Sequence, residues 1–400
     1  MKNSLFKFIL SPILVLVIFI FSCRNFDNHH QITFEITNSL DFERSEIVGI
    51  SIDKLSSILE ETSHENIRIK KTDSDAYLVT QWIDNDGDQL DDEILFPAHL
   101  EPNQKKNFQI IIDSLGQKPV NNVVAYSRFV PERTDDYTWE NDKVAFRTYG
   151  PEAQKRAEEN QPGGTLSSGI DLWLKRVEYS VIDQWYANNL KSPGYYHTDH
   201  GEGYDPYHVG ISRGTGGTGI WKEDSLITSK NFSSYKTIAS GPLRTVFELY
   251  YAPWGPYHIE EKKRITLDLG SNFSKFENSL DAKTPINNYA IGITLHDNKG
   301  EIVTNQESGW FLHWEPIDET HVGQGIVMNS QHIQDVVESR TDIPDQSHLL
   351  VITNPNLQKI TFYAGFAWTK SGQVSNQADW EELVRQKVKK INEPLEIVFQ

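Results

Sequence analysis

Residues 194–221 concentrate side chains that can transfer protons. Three of the thirteen histidines lie there, His197, His200 and His208, among tyrosines and carboxylates. Because imidazole changes charge near neutral pH, these side chains can serve as general base or general acid. Repeated glycines allow sharp turns and close approach to a ligand. We predict that this segment, termed the histidine loop, forms an ordered functional site; the alternative is a loop hydrogen-bonded only to itself.

The spacing of the loop residues bears on three other kinds of site. The three histidines match no helical zinc motif, which argues against a zinc centre. Residues 214–219 are not followed by the Gly-Lys-Ser/Thr of a phosphate-binding loop. A glycoside hydrolase would need two carboxylates flanking a sugar bond, and this alternative stays open because Asp199, Glu202 and Asp205 are candidates.

A second group of ligating side chains lies between two predicted strands near the N terminus. Alternating carboxylates around Gly87 are the oxygen ligands that calcium prefers. The glutamate expected at the twelfth loop position is absent, since Leu95 stands there. A structural calcium site and a plain hairpin turn both remain open. The candidate ligands are Asp84, Asp86, Asp88, Asp92 and Glu93.

The N terminus has the pattern of a secretory signal. Lys2 and Lys7 are followed by an apolar run over residues 8–21 and then by Ser22 and Cys23, which resembles a bacterial lipobox. Cys23 is the only cysteine, so an intramolecular disulfide is excluded. We predict a signal peptide over residues 1–22 and a tether over residues 23–30 that is lipidated at Cys23. The protein would then be a cell-envelope lipoprotein, periplasmic or attached to the outer membrane; the alternative is an incidental cysteine in an uncleaved anchor.

The charge of the chain excludes one class of partner. The full sequence has a net charge of −18, and removal of residues 1–22 leaves 36 basic and 56 acidic residues, a net charge of −20. Nucleic acid is therefore not expected as a partner, because its recognition needs a basic face. An anionic substrate would require a local cluster of arginines.

The segments that must position the histidine loop are predicted to be strands. Alternating or short apolar runs bounded by turn residues recur over residues 31–146 and again from residue 244 onward. One helix is predicted late in the chain, capped by Asn376, and a short one over residues 50–61. We predict a mainly β fold: an extended antiparallel β-sandwich body in two sheet-dominated lobes with a few short helices. The predicted divisions are an N-terminal lobe over 31–149, a crossing loop over 150–169 and a C-terminal lobe over 170–400 that carries the histidine loop.

The aromatic content points to carbohydrate. Ten tryptophans and sixteen tyrosines in a secreted, acidic β protein suit the stacking of sugar faces on flat rings. Some of these rings must fill the core instead. We expect Trp82, Trp173 and Trp368 in the core, and Trp254, Trp310 and Trp314 facing a cleft.

Two runs of the histidine loop resemble a known family. Residues 196–210, Tyr-His-Thr-Asp-His-Gly-Glu-Gly-Tyr-Asp-Pro-Tyr-His-Val-Gly, and residues 212–217, Ser-Arg-Gly-Thr-Gly-Gly, are similar to family 4861 of the domains of unknown function, as is the acidic turn. The resemblance extends over nearly all of the chain after the signal. It implies an enzyme of bacterial polysaccharide utilisation that removes water from the non-reducing-end uronic acid of ulvan-type oligosaccharides and leaves a 4,5-unsaturated sugar.

The residues can be assigned to such a reaction from its chemistry. A site must neutralise the uronate carboxylate, remove the C5 proton and protonate the departing C4 hydroxyl, and it needs no cofactor for this. An arginine fork suits the carboxylate. The candidates are Arg213, with Arg147 and Arg244 as alternatives, for the carboxylate; His197 or His200 as base; Tyr207 or His208 as acid; and Tyr195, Tyr196, Trp310 and His313 for binding the sugar.

Three rival functions remain. A glycoside hydrolase would break the sugar chain, and a sugar epimerase would use the same acid and base without forming a double bond. A non-catalytic sugar-binding lipoprotein would need only aromatic rings and hydroxyl partners. In each case the expected partner is an oligosaccharide, containing uronic acid in the preferred interpretation.

Overall fold

The structure, a computed structural model, describes residues 31–60, 62–343 and 345–400. The predicted signal peptide, the tether and Cys23 lie outside these residues. Within them, every helix is too short or too polar to cross a membrane.

The described residues form twenty-five strands and four α-helices. The strands are β1 Ile32–Thr37, β2 Arg44–Ser51, β3 Ile67–Lys71, β4 Gln81–Ile83, β5 Glu93–Leu100, β6 Lys105–Ile112, β7 Tyr126–Val130, β8 Asp136–Glu140, β9 Ala145–Thr148, β10 Asp171–Lys175, β11 Gly203–Tyr204, β12 Thr215–Lys222, β13 Ser225–Ile227, β14 Ser234–Ser240, β15 Arg244–Trp254, β16 Ile259–Asp268, β17 Phe273–Asp281, β18 Ala290–Thr294, β19 Glu301–Asn305, β20 Trp310–Ile317, β21 Thr320–Met328, β22 Ile333–Ser339, β23 His348–Thr353, β24 Lys359–Trp368 and β25 Glu396–Phe399. The helices are α1 Ser56–Leu59, α2 Pro151–Glu158, α3 Ile182–Lys191 and α4 Gln377–Asn392.

A small N-terminal lobe consists of two sheets around one apolar core. Strands β25, β1, β6 and β3 form the first sheet, and β2, β5 and β4 form the second. Phe34 on β1 lies between Phe108 on β6 and Phe399 on β25, and its ring stacks on Phe108 at 5.5 Å. The end of the chain therefore completes the sheet that its first strand begins.

The larger body consists of three antiparallel sheets. An eight-stranded sheet runs in the order β14-β15-β16-β17-β24-β21-β20-β19. Its inner face packs against two five-stranded sheets, β11-β10-β9-β8-β7 and β13-β12-β18-β23-β22, through a large shared apolar cluster. In β16, buried and half-buried residues alternate, with Ile265 and Leu267 turned inward, as expected for one covered face. The prediction of a mainly β, antiparallel fold with few helices is confirmed.

Helix α4 covers the outer face of the eight-stranded sheet. Asn376 caps it, because its side chain accepts a hydrogen bond from the Asp379 N–H at 3.1 Å, as the sequence predicted. Trp380 and Val384 are buried on the sheet side of the helix. Trp380 stacks on Phe273 at 5.3 Å, which fixes the helix against β17.

The strand pairing joins segments that the sequence analysis placed in different lobes. Strands β7–β9, before the predicted crossing loop, form one sheet with β10 and β11, after it. The crossing loop itself contains α2. The helix predicted over residues 50–61 is shorter than expected: a 3-10 turn at Ile52–Lys54 precedes the single turn of α1.

Candidate active site

The histidine loop is an ordered segment laid along the edge of the β7–β11 sheet. It begins with a 3-10 turn at Tyr195–His197 directly after α3, and β11 then pairs with β10. Gly203 is required at this pairing, since its φ is +122° and an added Cβ would lie 1.9 Å from the Leu174 carbonyl oxygen. The backbone N–H of Asp205 donates to the Tyr196 carbonyl at 2.7 Å. This bond places Asp205 beside His197.

Two of the candidate hydrolase carboxylates hold the loop in place. Asp199 pairs with Arg176 at 3.0 Å and with Lys370 at 2.8 Å. Burial opposes its charge, but the Lys370 hydrogen bond and backbone N–H donors outweigh burial and set the pKa of Asp199 at about 2. Glu202 accepts hydrogen bonds from the Tyr179 hydroxyl at 2.7 Å and the Trp185 indole N–H at 3.0 Å. Both carboxylates are thus occupied by protein donors.

The centre of the site is a buried arginine surrounded by three carboxyl groups. Arg147 on β9 lies opposite Asp171 on β10 and binds its Oδ2 at 2.5 Å. The same guanidinium binds Asp205 Oδ2 at 2.7 Å and lies 3.7 Å from Asp136 Oδ2. All four side chains are almost fully buried. One positive charge therefore holds three acidic groups together away from water.

Burial changes the ionisation of these acids. It raises the pKa of Asp136 to about 6, against the opposing charges of Arg147 and Arg133. Burial also raises the pKa of Asp171, although Arg147 counteracts it. The pKa of Asp205 lies well above its ordinary value, because the charge of Asp171 adds to the effect of burial. The cluster therefore retains carboxyl protons at pH values where exposed aspartates are ionised.

Aromatic rings complete the surroundings of Arg147. Its guanidinium lies 5.2 Å from the ring centroids of Tyr149 and Trp173 and 5.3 Å from that of Tyr196. Desolvation disfavours the arginine charge, but the interactions with Tyr149, Asp171 and Asp205 outweigh it and hold the pKa of Arg147 above its usual value. The guanidinium thus stays charged although it is buried.

His197 has the geometry of a general base. Its Nδ1 lies 2.9 Å from the backbone carbonyl oxygen of Asp205 and 3.5 Å from Asp205 Oδ2. Because a carbonyl oxygen only accepts hydrogen bonds, Nδ1 carries the proton and the lone pair of the neutral ring is on Nε2. The side chain is 50% exposed. The basic nitrogen is therefore held in a defined orientation next to solvent.

Tyr196 and Arg133 lie beside His197 in one cleft. The Tyr196 hydroxyl oxygen accepts hydrogen bonds from Arg133 Nε at 3.1 Å and from Arg147 Nη1 at 3.3 Å. The Tyr196 side chain is 3% exposed, and the two guanidinium donors stabilise negative charge on its oxygen. Arg133, Tyr196 and His197 line a cleft of about 380 Å³, together with Arg156. We term it the His197 cleft.

A second cluster of polar groups surrounds the buried carboxylate of Glu315. It accepts hydrogen bonds from the Tyr207 hydroxyl at 2.8 Å, from His296 Nδ1 at 2.9 Å and from Gln324 Nε2 at 2.7 Å. The Tyr207 ring stacks on His296 at 4.1 Å. His313 is buried beside this cluster, and burial lowers its pKa to about 4, so it is neutral at physiological pH.

The other two histidines of the loop lie apart from His197. The ring of His200 is exposed and stacks on Tyr195 at 4.0 Å. The side chain of His208 is 87% exposed, and its Nδ1 lies 3.9 Å from Asp345. Among the described residues, these histidines do not converge on a common point where a metal could bind.

Arg213 is in the protein interior. Its guanidinium donates to the Ser168 hydroxyl at 3.0 Å and to the Thr218 and Ile211 carbonyl oxygens at 3.3 and 3.2 Å. Burial lowers its pKa to about 10. In this position the side chain supports the backbone of the loop, and its donors are not presented to the His197 cleft.

The remaining predicted binding residues are also distant from the cleft or buried. Arg244 binds Asp268 through two hydrogen bonds, at 2.5 and 3.0 Å, at the boundary with the N-terminal lobe. The expectation that Trp254, Trp310 and Trp314 face a cleft is wrong, because all three are buried in apolar clusters. Trp173 and Trp368 lie in the core as predicted.

The acidic turn brings together three of its five predicted ligands. One carboxylate oxygen from each of Asp84, Asp86 and Asp88 lies within 4.8 Å of the others. Asp92 and Glu93 point elsewhere: Asp92 accepts the Asn85 N–H at 2.6 Å, and Glu93 accepts the Asn85 side-chain amide at 2.9 Å. Calcium binding by this turn stays a prediction.

We expect calcium at millimolar concentration to raise the melting temperature relative to chelator if the three carboxylates bind the ion, because a ligand of the native state stabilises it. Differential scanning calorimetry measures this. The Asp86→Asn variant should lose the shift, whereas Asp91→Asn, a change in the same turn but outside the three-carboxylate group, should keep it. An equal melting temperature of the wild type in both buffers would show a plain turn.

Sequence reasoning did not identify several residues of these clusters, Asp136 and Gln324 among them. Asp171 stands at the start of a fully buried strand, directly before Leu172, Trp173 and Leu174, and a carboxylate next to these apolar residues could have indicated a buried polar cluster. Arg133 lies in a Pro-Glu-Arg turn 63 residues before Tyr196, with no local pattern to connect them. His296 follows β18 and Glu315 is on β20, so these two residues come from different sheets and no local pattern connects them.

Comparison of the sequence with known proteins gives two matches. The model of the family described as "Domain of unknown function (DUF4861)" matches residues 36–397. A protein of Formosa agariphila with the name "Uncharacterized protein P7" is 46% identical over 383 residues, which cover 95% of this chain and 96% of that protein.

Comparison of the fold gives distant similarities. A protein in glycosyl hydrolase family 38 from Enterococcus faecalis matches with a TM-score of 0.50 and 9% identity, over 92% of this chain and 47% of that one. An alpha-mannosidase from Enterococcus faecalis V583 matches with a TM-score of 0.46 and 8% identity, over 92% and 46%. The chain thus spans about half the length of these structures, and the first similarity concerns the fold alone.

Proposed function

This chain belongs to the DUF4861 family, and we propose that it is a carbohydrate dehydratase. It would eliminate water from the non-reducing-end uronic acid of an ulvan-type oligosaccharide and leave a 4,5-unsaturated uronyl product. The observation that carries this proposal is the His197 cleft, where an oriented imidazole, a tyrosine hydroxyl and a guanidinium lie side by side. These are the base, the acid and the cation that the elimination requires.

The residues of the cleft divide the reaction between them. Arg133 pairs with the uronate carboxylate and stabilises the negative charge that builds up on it. His197 Nε2 removes the C5 proton, and the C5–H electron pair forms the C4–C5 double bond as the C4–O bond breaks. Tyr196 gives its proton to the departing hydroxyl, which leaves as water. Transfer of the proton from His197 to the Tyr196 oxygen through solvent then restores both groups.

Asp205 is a positioning residue in this scheme. Its carbonyl oxygen fixes the tautomer of His197, and its side chain stays next to the Nδ1 proton. The buried Arg147 in turn fixes Asp205 and donates to Tyr196. Arg147, a predicted alternative for the carboxylate clamp, therefore acts from behind the cleft, and the clamp itself is assigned to Arg133.

The occupancy of the carboxylates supports elimination over glycoside hydrolysis. Hydrolysis needs two carboxyl groups flanking the sugar bond. Asp199 and Glu202 are occupied by cations and hydrogen-bond donors, and Asp205 is buried against Arg147. Among the described residues that line the His197 cleft, Glu132 supplies the single carboxylate, and Arg128 binds it at 2.6 Å.

One assay separates the rival functions. Uronic-acid-terminated oligosaccharides incubated with the protein should gain ultraviolet absorbance from the conjugated double bond, and their mass should fall by one water without chain cleavage. Shorter sugars without the absorbance would show a hydrolase instead, and an unchanged mass with altered sugar stereochemistry would show an epimerase. Binding without any chemical change would show a sugar-binding protein. Each of these three results would overturn the proposal.

We further propose that the protein acts at a membrane of the cell envelope, held there by lipid on Cys23. The motivation is the lipobox-like sequence before this single cysteine. The Cys23→Ala variant should move to the soluble fraction of the expressing bacterium, measured by immunoblotting of membrane and soluble fractions. Retention of a processed Cys23→Ala protein in the membrane fraction would contradict lipid anchoring.

A further inference from the structure

Three lysines converge on a cleft at the boundary between the two lobes. Lys387 and Lys390 extend from α4, and Lys143 comes from the turn between β8 and β9. The cleft, termed the lysine cleft, has a volume of about 310 Å³ and is bounded by β2, by the turn between β16 and β17 and by α4. It shares no residue with the His197 cleft.

Each of the two acidic residues in the lining is bound by an arginine. Asp268 is bound by Arg244 at 2.5 and 3.0 Å, and Glu46 by Arg44 at 2.7 and 3.1 Å. Among the described residues, the ammonium groups of Lys143 and Lys387 make no hydrogen bond or ion pair, and Lys390 lies 3.8 Å from Glu46. The cleft therefore carries an excess of positive charge in a protein with a net charge of −18.

Burial disfavours the charged form of two of these lysines. Burial lowers the pKa of Lys387 to about 8; the charges of Asp268 and Glu46 oppose this shift, and those of Lys390 and Lys275 add to it. Burial also lowers the pKa of Lys390, where Glu46 opposes the shift and Arg44 and Lys143 add to it. A bound anion would offset both the repulsion between these lysines and the hydration that they lose on burial.

The cleft adjoins a second cavity that is lined by side chains of both charges. This cavity, of about 370 Å³, shares Lys387, Tyr363 and Asp268 with the first and adds Arg264 and Lys275, the latter paired with Glu277 at 2.9 Å. The Lys387 ammonium lies 4.2 Å from the centroid of the Tyr363 ring, which orients it. Lys387 thus lines both cavities, and their combined volume is larger than a small ion requires.

We propose that the lysine cleft binds an oxyanion group, the carboxylate or sulfate of an acidic sugar or the free ion. Lysine ammonium groups suit such a ligand as point charges, and their convergence from α4 and from the β8–β9 turn prearranges them before it arrives. The proposal concerns binding and does not depend on the dehydratase reaction.

Thermal unfolding tests the proposal on the whole protein. Sodium sulfate and sodium glucuronate, each compared with sodium chloride at equal ionic strength, are titrated against the wild type, Lys387→Met and Lys389→Met. Lys389 is the matched control because it is on the same helix, is half-exposed and lies near Asp41 instead of the cleft. We expect a saturable rise in melting temperature for the wild type and Lys389→Met, and none for Lys387→Met.

The unliganded proteins provide a second readout. Lys387→Met should melt at the same or a higher temperature than the wild type, because it removes an unpaired cation from a partly buried position. A response to sulfate alone would identify the free ion, and a response to glucuronate would identify an acidic sugar; both support the site. Equal shifts in all three proteins, or no saturable shift in the wild type by calorimetric titration, would overturn it.

Discussion

We expect the His197→Ala variant to form the unsaturated uronyl product at least about a hundredfold more slowly than the wild type. Its melting temperature should stay near that of the wild type. The loss follows from removing the base, since a positioned general base contributes a factor of this size or more. Stability should be preserved because the side chain is half-exposed and makes one hydrogen bond, to the Asp205 carbonyl. Ultraviolet absorbance under saturating substrate measures the rate.

The histidines that lie apart from the cleft supply the controls. His208→Ala changes a side chain that is 87% exposed in the same loop and should keep the wild-type rate. His296→Ala tests the neighbouring cluster, in which Glu315 orients an imidazole in a comparable way. If His296→Ala abolishes the reaction and His197→Ala does not, the catalytic centre is at Glu315 and the assignment of the His197 cleft is wrong.

Local sequence patterns predicted the structure correctly where the stabilising contacts are local. The alternation in β16 predicted a strand with one buried face, and Asn376 before an amphipathic run predicted the start of α4. The 3-10 turn at Tyr195–His197 lies within the predicted histidine loop and follows Gly194, whose φ is +87°.

The sequence-based predictions failed for residues whose surroundings are formed by strands that are distant in the chain. Arg213 precedes a glycine-rich segment that looks exposed, yet β12 lies between β13 and β18 in the sheet and draws Arg213 into the interior. We propose Arg133 for the role foreseen for Arg213, because Arg133 lines the His197 cleft and donates a hydrogen bond to Tyr196. The pairing of β25 with β1 could not be predicted from local pattern either, since Phe399 pairs with Phe34, 365 residues earlier in the chain.

Replacing Arg147 should destabilise the protein more than any other single change considered for the site. Arg147→Met leaves Asp136, Asp171 and Asp205 buried without their shared cation, and removing one partner of a buried ion pair costs about 3–5 kcal/mol. Chemical denaturation with urea measures the free energy of unfolding. Arg156→Gln is the matched control: its pair with Glu152 is more than one-third exposed on both sides, so its loss should cost about 0.2–1 kcal/mol.

The pH dependence of the Arg147→Met defect distinguishes lost charge from lost packing. The pKa of each of the three carboxyls is already raised in the folded protein, to about 6 for Asp136, and loss of the cation raises it further. A group with a raised folded pKa favours folding at low pH and loses that contribution as the pH rises through the folded pKa. The defect should therefore be larger at pH 8 than at pH 5, and Asp171→Asn in the same background should recover part of it. A defect of equal size at both pH values would mean that Arg147 acts by filling space between Trp173, Tyr149 and Tyr196 and not by its charge.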